Sequence, residues 1–455
     1  MHVCMLLRDR FPPDERVRKE AAALSVVGHD VTLLCRGEPL EPERERVGSV
    51  DVWRVDEPTG SGDALRRARH AATFVDAAWL AAVSEVAEER AIDAVHAHGL
   101  SLSKTGLRAG ATHDAAVLVD VRENRVERVR NRRQSRGRGE ALRSPAVVPG
   151  RLLTGPRRLA RLESNVLPEA DRVLVNCEEA RARYLRERDL DPRSVAVVRD
   201  TTDVADVDAE RAREPSRETG TGRDRDDAGG DAGRTPTGRA AGTPAAVGAR
   251  TLGLEFDPAP AFVIACFGPL ARGRGLETLI EATARAADDA VNSRLVLVGE
   301  GPAEYVAELE ALARRRLAGG RVTIVEPGPG REPSRPVASD VCVLPEGPNS
   351  ATETELPPGL FAAMAASVPV LTTDAAPRGR IVEATDCGRV VPADDPGAMA
   401  AALAALADPE LADALGANGR RAVEREYNWG RDGERLRRIY RELAAERRPY
   451  RVTLY

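Results

Sequence analysis

Four phrases decide the fold, in this order: FGPLARGRGLETLIEA (267–282), LVLVGEGP (295–302), RVTIVEPGPG (321–330) and ELPPGLFAAMAASVPVLTTD (355–374). Each joins an apolar run of strand length to glycines, arginines or a helix start. Open α/β sheets bind ligands at the C-terminal ends of their strands, and these phrases put amides and positive charge there. Gly268, Gly273 and Gly275 surround Arg272 and Arg274 between a strand and a helix, so a phosphate would meet bare amides, two guanidinium groups and a helix N-terminus. Gly299 and Gly301 form a second strand-ending pair that would let a sugar or nucleotide approach the backbone. Pro357 and Pro358 suit the first turn of a helix, leaving the Gly359 and Leu360 amides pointing back at the strand ends. Glu353, Thr354 and Glu355 stand just before it, placed to accept hydrogen bonds from sugar hydroxyls or simply to complement the helix dipole. The sum suggests a site for a nucleoside diphosphate, against the alternative of a plain βα connection with solvated arginines.

The same alternation continues outward. HVCMLL (2–7), DVTLLC (30–35), VDVWRV (50–55), AIDAVHAH (91–98), AAVLVDV (115–121) and SVAVVRD (194–200) read as strands. Asp14 predicts an N-cap for a helix that buries Val17, Ala21 and Leu24 and ends at Gly28. A helical stretch is expected over 63–90, and 162–185 reads as helix, strand, helix. Near-continuous apolar strands are the mark of parallel sheets covered on both faces. The expected class is therefore α/β, with two doubly wound, Rossmann-like parallel-sheet domains facing a cleft. Residues 1–203 form the first domain and 261–430 the second, with an amphipathic helix over 431–455 closing the chain. Between them, 204–260 is rich in Gly, Asp, Arg, Pro and Thr and reads as a disordered insert or linker.

At 455 residues the chain exceeds one core, and 42% hydrophobic with 31% charged residues describes a globular protein. A net charge of −5 gives no general reason to bind nucleic acid. The six cysteines sit mostly in apolar runs without metal-ligand spacing, as small buried hydrophobes in a reducing compartment do. The first apolar run is too short for a signal peptide, and none approaches the roughly 20 residues that span a bilayer. A cytoplasmic protein is expected. From Arg125 to Arg161 arginines are dense, which fits a solvated loop, a surface for anionic lipid headgroups or a phosphorylated acceptor, or nucleic-acid contact. The absence of aromatics for base stacking counts against the last. His96 and His98 share one face of their strand, and Asp120, Arg122 and Glu123 end the next. A strand-end histidine is more often a satisfied core or capping residue than a functional one.

These phrases resemble the GT-B-fold, retaining nucleotide-sugar glycosyltransferases of glycosyltransferase family 4. The opening FPPDERVRKEAAALSVVGHDVTLL resembles that family's first βαβ unit, DAVHAHGL its histidine-bearing strand, and LVDVRENRVE its Asp-x-His-Glu segment, with Arg122 in the histidine's place. GRGLETLIEA, VGEGP and PPGLFAAMAASVPVLTTD, with RIVEATDCGRVV after them, match its donor domain. The resemblance implies transfer of a sugar from a nucleoside diphosphate donor to a glycan or lipid-linked acceptor, with retention at the anomeric carbon and no metal. It implies donor-binding roles for Arg272, Arg274, Gly275, Gly299, Gly301, Glu353, Thr354, Gly359 and Leu360. His98 and Glu355 would be catalytic, and Asp14, Arg16, Asp120 and Glu123 would face the acceptor. The arginine-dense segment 125–161 would touch an anionic membrane at its inner face, and the closing helix would pack back on the first domain. Departures are Thr354 and Ala362 at the two positions of the family's Glu-x7-Glu pattern, Pro269 at a usually basic position, and Ser367 at a usual glycine. A weak or inactive scaffold and a nucleotide-sugar epimerase are the alternatives.

Overall fold

The computed structural model describes residues 1–37, 41–56, 64–135, 155–213, 261–288, 291–317, 321–326 and 339–446. The insert expected to be disordered from residue 204 instead begins with a helix, Val204–Arg213; its remainder, the middle of the arginine-dense segment (136–154) and the end of the third phrase (327–330) lie outside them. The described chain falls into two compact units. One takes residues up to Asp200, the short stretch Asn349–Leu356 and the closing helix from Trp429; the other takes what lies between.

The first unit is built on β1 (His2–Leu7), β2 (Asp30–Arg36), β3 (Arg44–Val47), β4 (Val50–Val55), β5 (Ala94–His98), β6 (Ala116–Val121), β7 (Arg172–Val175) and β8 (Val195–Val197). They form one sheet in the order β3-β4-β2-β1-β5-β6-β7-β8. Every pairing is parallel except β3 with β4. Chain order reverses between β1 and β5, whose register sets Leu7 beside His98, so both strand ends open on one switch point. Strand β3 (RERV) is absent from the sequence reading because three of its four residues are charged; it turns back through Gly48 at φ 61°. A charged edge strand resists pairing with other chains.

The helix expected over 63–90 is two helices, Ala64–Thr73 and Ala77–Glu89. Phe74 turns left-handed between them at φ 57°, and the Asp76 carboxylate caps the second by accepting from the Ala78 amide. The first helix, Glu15–Val26, begins as expected, with Asp14 Oδ1 accepting from Val17 N at 3.0 Å. Its buried face, Val17, Ala21 and Leu24, shares a core with Trp429, Leu436, Ile439, Tyr440 and Leu443 of the closing helix Trp429–Glu446.

The second unit carries β9 (Phe262–Phe267), β10 (Ser293–Val298), β11 (Val322–Val325), β12 (Val341–Leu344), β13 (Val370–Thr373) and β14 (Gly388–Val391). Their order is β11-β10-β9-β12-β13-β14, all parallel, with the reversal between β9 and β12. Ile264, Leu279, Leu295, Leu297, Val343 and Leu403 fill its core. The helical stretch after residue 396 breaks once, where Asp408 accepts from Glu410 N to start Pro409–Arg425. Among the described residues no helix is long and apolar enough to cross a membrane.

Candidate active site

In the second unit the loop after β9 and the loop after β12 meet at the switch point. Gly275, at φ 73°, lies so close to Pro345 that a Cβ would come within 2.2 Å of its carbonyl oxygen. The Arg274 guanidinium lies against Gly268, which has φ 120° and where a Cβ would sit 3.2 Å from Nη1. Arg274 Nε is 3.8 Å from Glu346 Oε2, and the side chain keeps 20% exposure, so it is steered at the crevice without a tight partner. Arg272 is turned elsewhere: it pairs with Glu308 at 2.5 Å and lies near the Tyr305 ring on the surface. Of the two expected phosphate arginines, the geometry keeps Arg274 at the strand ends.

Two other donor-side expectations are corrected. A Cβ on Gly299 would lie 1.9 Å from Gly268 O, and one on Gly301 2.3 Å from Leu270 O. These glycines let loop backbone pack on loop backbone, and the space is filled by the chain itself. The helix Pro358–Ala365 does begin beside β12, with Pro in its first turn. However, Leu360 N donates to Pro357 O at 3.1 Å, which leaves Gly359 as the open amide of the pair. Side chains missed in the sequence hold the neighbouring strand ends: Thr373 Oγ1 donates to Glu346 O at 2.6 Å, and buried Arg378 donates to Thr373 Oγ1 at 3.1 Å. The signal available was TTD directly after an apolar run, where hydroxyls can tie one strand end to the next.

Glu353, Thr354 and Glu355 fall in the short stretch that belongs to the first unit. Glu355 is 7% exposed and its carboxylate is already taken: Asn124 N donates to Oε1 at 2.6 Å, and Arg128 Nε lies 2.8 Å from Oε2. Burial raises its carboxyl, against the pull of Arg128 and the Asn124 amide. Asn124 Nδ2 also donates to Ser350 O and Thr354 Oγ1, at 3.0 and 3.1 Å. Glu355 and Thr354 therefore anchor a loop and are not free to meet sugar hydroxyls. Glu353 lies beside them in the short helical turn Thr352–Thr354.

At the first unit's switch point the expected acceptor residues separate into an outer and an inner set. Asp14 and Glu123 are outer: Asp14 Oδ1 takes Arg122 Nη1 at 2.9 Å, and Glu123 Oε1 takes Arg125 Nη1 at 3.0 Å. Burial raises the Glu123 carboxyl, but Arg128 and Arg125 outweigh it and the net shift is downward. The inner set is closed off. Arg16, Asp120 and His98 are 2%, 0% and 3% exposed, and Arg16 grips Asp120 through Nε and Nη2 at 2.9 and 3.2 Å. Burial opposes the Asp120 charge, yet Arg16 and then His98 hold the carboxyl well below its usual range. Neither Arg16 nor Asp120 is open to an acceptor, and His98 lies behind them. Sequence spacing suggested no metal ligands, but the fold gathers Glu20, His96, His98 and Asp120 with one ligand atom each within 4.8 Å of the others.

Residues 13–201 match the family described as Glycosyl transferase 4-like domain, and residues 261–408 match Glycosyl transferases group 1. No curated protein matches the sequence. Among solved structures, sucrose-phosphate synthase from Thermosynechococcus elongatus is 21% identical with a TM-score of 0.69, over 98% of this chain and 100% of that one. HepE of Anabaena, solved with UDP and glucose, is 14% identical with a TM-score of 0.65, over 97% and 99%. WaaG, described as a glycosyltransferase involved in lipopolysaccharide biosynthesis, is 16% identical with a TM-score of 0.60, over 96% and 99%. These likenesses carry the fold, which is GT-B; the two family matches, taken in order along most of the chain, carry the rest. The chain belongs to the group 1 glycosyltransferases and is a glycosyltransferase enzyme.

Proposed function

We propose that the chain moves a sugar from a nucleoside diphosphate sugar to a glycan or lipid-linked acceptor, with retention at the anomeric carbon. The observation that carries the donor assignment is Arg274, held at the β9–β12 switch point between Gly268 and Glu346 with its guanidinium partly exposed. When the sugar leaves, negative charge grows on the diphosphate. A fixed cation and a helix N-terminal amide at Gly359 stabilise that charge more than they stabilise the donor. The transfer step draws on these groups rather than on a metal. HepE of Anabaena, which shares this fold, has been solved in complex with UDP, with UDP and glucose, and with UDP-glucose, which supports the donor class.

On the acceptor side the outer carboxylates Asp14 and Glu123 are the groups able to accept a hydroxyl's hydrogen bond, each oriented by an arginine. Six unpaired cysteines, all buried, support a reducing, cytoplasmic setting. The arginines of Arg125–Ser135 and Pro156–Val166 support contact with an anionic lipid face. A thermal-shift panel of nucleoside diphosphates and their sugars tests the reading: at least one is expected to raise the melting temperature. Arg274→Ala is expected to abolish that rise while unfolding cooperatively at an unchanged temperature. If no nucleotide stabilises the chain, or Arg274→Ala binds as well, the donor site is elsewhere.

A further inference from the structure

Behind the acceptor-side wall lies a polar cluster for which sugar transfer has no evident use. Glu20 comes from the first helix, His96 and His98 from β5 and Asp120 from β6, and none is more than 3% exposed. Neither oxygen of Glu20 accepts a hydrogen bond, and neither ring nitrogen of His98 nor Nε2 of His96 has a partner. His98 Nδ1 stands 3.7 Å from Glu20 and 3.6 Å from Asp120, beyond hydrogen-bond reach. Five desolvated polar atoms face one another across a gap, and buried groups left unpaired are costly.

A lone proton does not resolve this. Placed between His98 and Glu20 it closes one contact and leaves both Nε2 atoms bare. Nor does charge alone decide. Arg16, Lys19 and Arg122 face the region and hold Asp120, Asp200 and Asp14 at 2.9, 2.9 and 2.7 Å. Glu20 is the carboxylate without a cation of its own, although Arg16 Nε, shared with Asp120, also stands 2.9 Å from its Oε1. A single cation with four ligands satisfies what the proton leaves. Two imidazole nitrogens and two carboxylate oxygens are a donor set for zinc-class ions, whereas magnesium and calcium prefer oxygen alone. The surroundings are those of a metal ligand: the Tyr440 hydroxyl sits 3.0 Å from His96 Nδ1, which leaves Nε2 to point at the gap. Arg16 fixes the Asp120 carboxylate in the same way. A tetrahedral ion would draw ligand atoms to about 3.3 Å apart. The present spread of up to 4.8 Å requires the four ligands to draw inward, with Glu20 giving up its 2.9 Å approach to Arg16 Nε.

We propose that Glu20, His96, His98 and Asp120 form an enclosed structural site for one zinc-class divalent cation in the first unit. The test uses the full chain, stripped with a chelator and then supplied with Zn²⁺ or Co²⁺. One equivalent is expected to survive gel filtration and to raise the melting temperature, with Mg²⁺ giving neither effect. X-ray absorption at the zinc edge is expected to report two imidazoles and oxygen ligands without sulfur. Glu20→Gln and His96→Gln are each expected to lose the retained equivalent, and Tyr440→Phe to loosen it about tenfold or more. Sulfur ligation, failure to retain zinc at micromolar concentration, or undiminished retention in a folded His96→Gln chain would each overturn the site. Should both ligand variants fail to fold, the absorption spectrum of the unaltered chain decides alone. None of these readouts depends on sugar transfer.

Discussion

At the scale of single residues, Ser367 has the clearest energetic consequence. It occupies the left-handed position after the helix Pro358–Ala365 with φ 56°. Val368 N donates to Ala363 O and Ser367 N to Met364 O, at 2.9 and 3.1 Å, the paired bonds of a helix end that favours glycine. A side chain there costs about 1–2 kcal/mol, less the extra chain entropy glycine loses on folding. Ser367→Gly is therefore expected to stabilise the second unit by about 0.5–1 kcal/mol, read as a higher urea midpoint with an unchanged slope. A lower midpoint would mean the serine makes a contact that offsets its strain. Sequence reading marks this position as unusual but cannot supply the φ angle. The same limit explains Glu355 and Arg16. Their residue types were legible, but the partners that occupy them, Arg128 and Asp120, lie 227 and 104 positions away in the chain. Side-chain availability is a property of tertiary neighbours, and one sequence carries little of it.

Elements were more legible because a strand buried on both faces is a contiguous apolar run, as in VCMLL and VIACF. The exceptions have physical causes: β3 is charged at an edge, and Phe74 breaks a helix with no glycine or proline to announce it. The first helix also shows how elements are tied by charge. Lys19 Nζ meets Asp200 Oδ1 at 2.9 Å, joining that helix to the chain beyond β8. Burial works against the Asp200 charge, but Lys19 and Arg16 outweigh it and leave the carboxyl below its ordinary value of 3.8. A depressed carboxyl stabilises the fold above its unfolded pKa, and that stabilisation fades as pH falls through the folded one. Asp200→Asn is accordingly expected to be less stable at neutral pH. Its deficit should shrink as the pH drops below 3.8, where the unfolded state of the unaltered chain takes up the proton first, and be gone once the folded carboxyl is protonated as well. Chemical denaturation of both chains from pH 7 downward measures this. A deficit that stays constant with pH would show that the aspartate contributes shape, not charge.

For the whole molecule, the decisive fact is that the first unit is not a continuous stretch of chain. The order of strands places its boundary near residue 200, yet five core residues, Trp429, Leu436, Ile439, Tyr440 and Leu443, arrive from the closing helix. Burying side chains of this size stabilises by about 1.5–3 kcal/mol each, so together they contribute roughly 7–15 kcal/mol as an upper bound. That equals the net stability of a typical domain, about 5–15 kcal/mol. A fragment ending at Asp200 would also expose the apolar face of Val17, Ala21 and Leu24 to water. Such a fragment is expected to be aggregated or without a cooperative transition. Joining residues 429–446 to it through a flexible linker is expected to restore one cooperative unfolding step and solubility. Circular dichroism with thermal melts on both chains gives the answer. A well-folded 1–200 fragment would show that the strand order alone sustains the unit and that the closing helix is a dispensable cover.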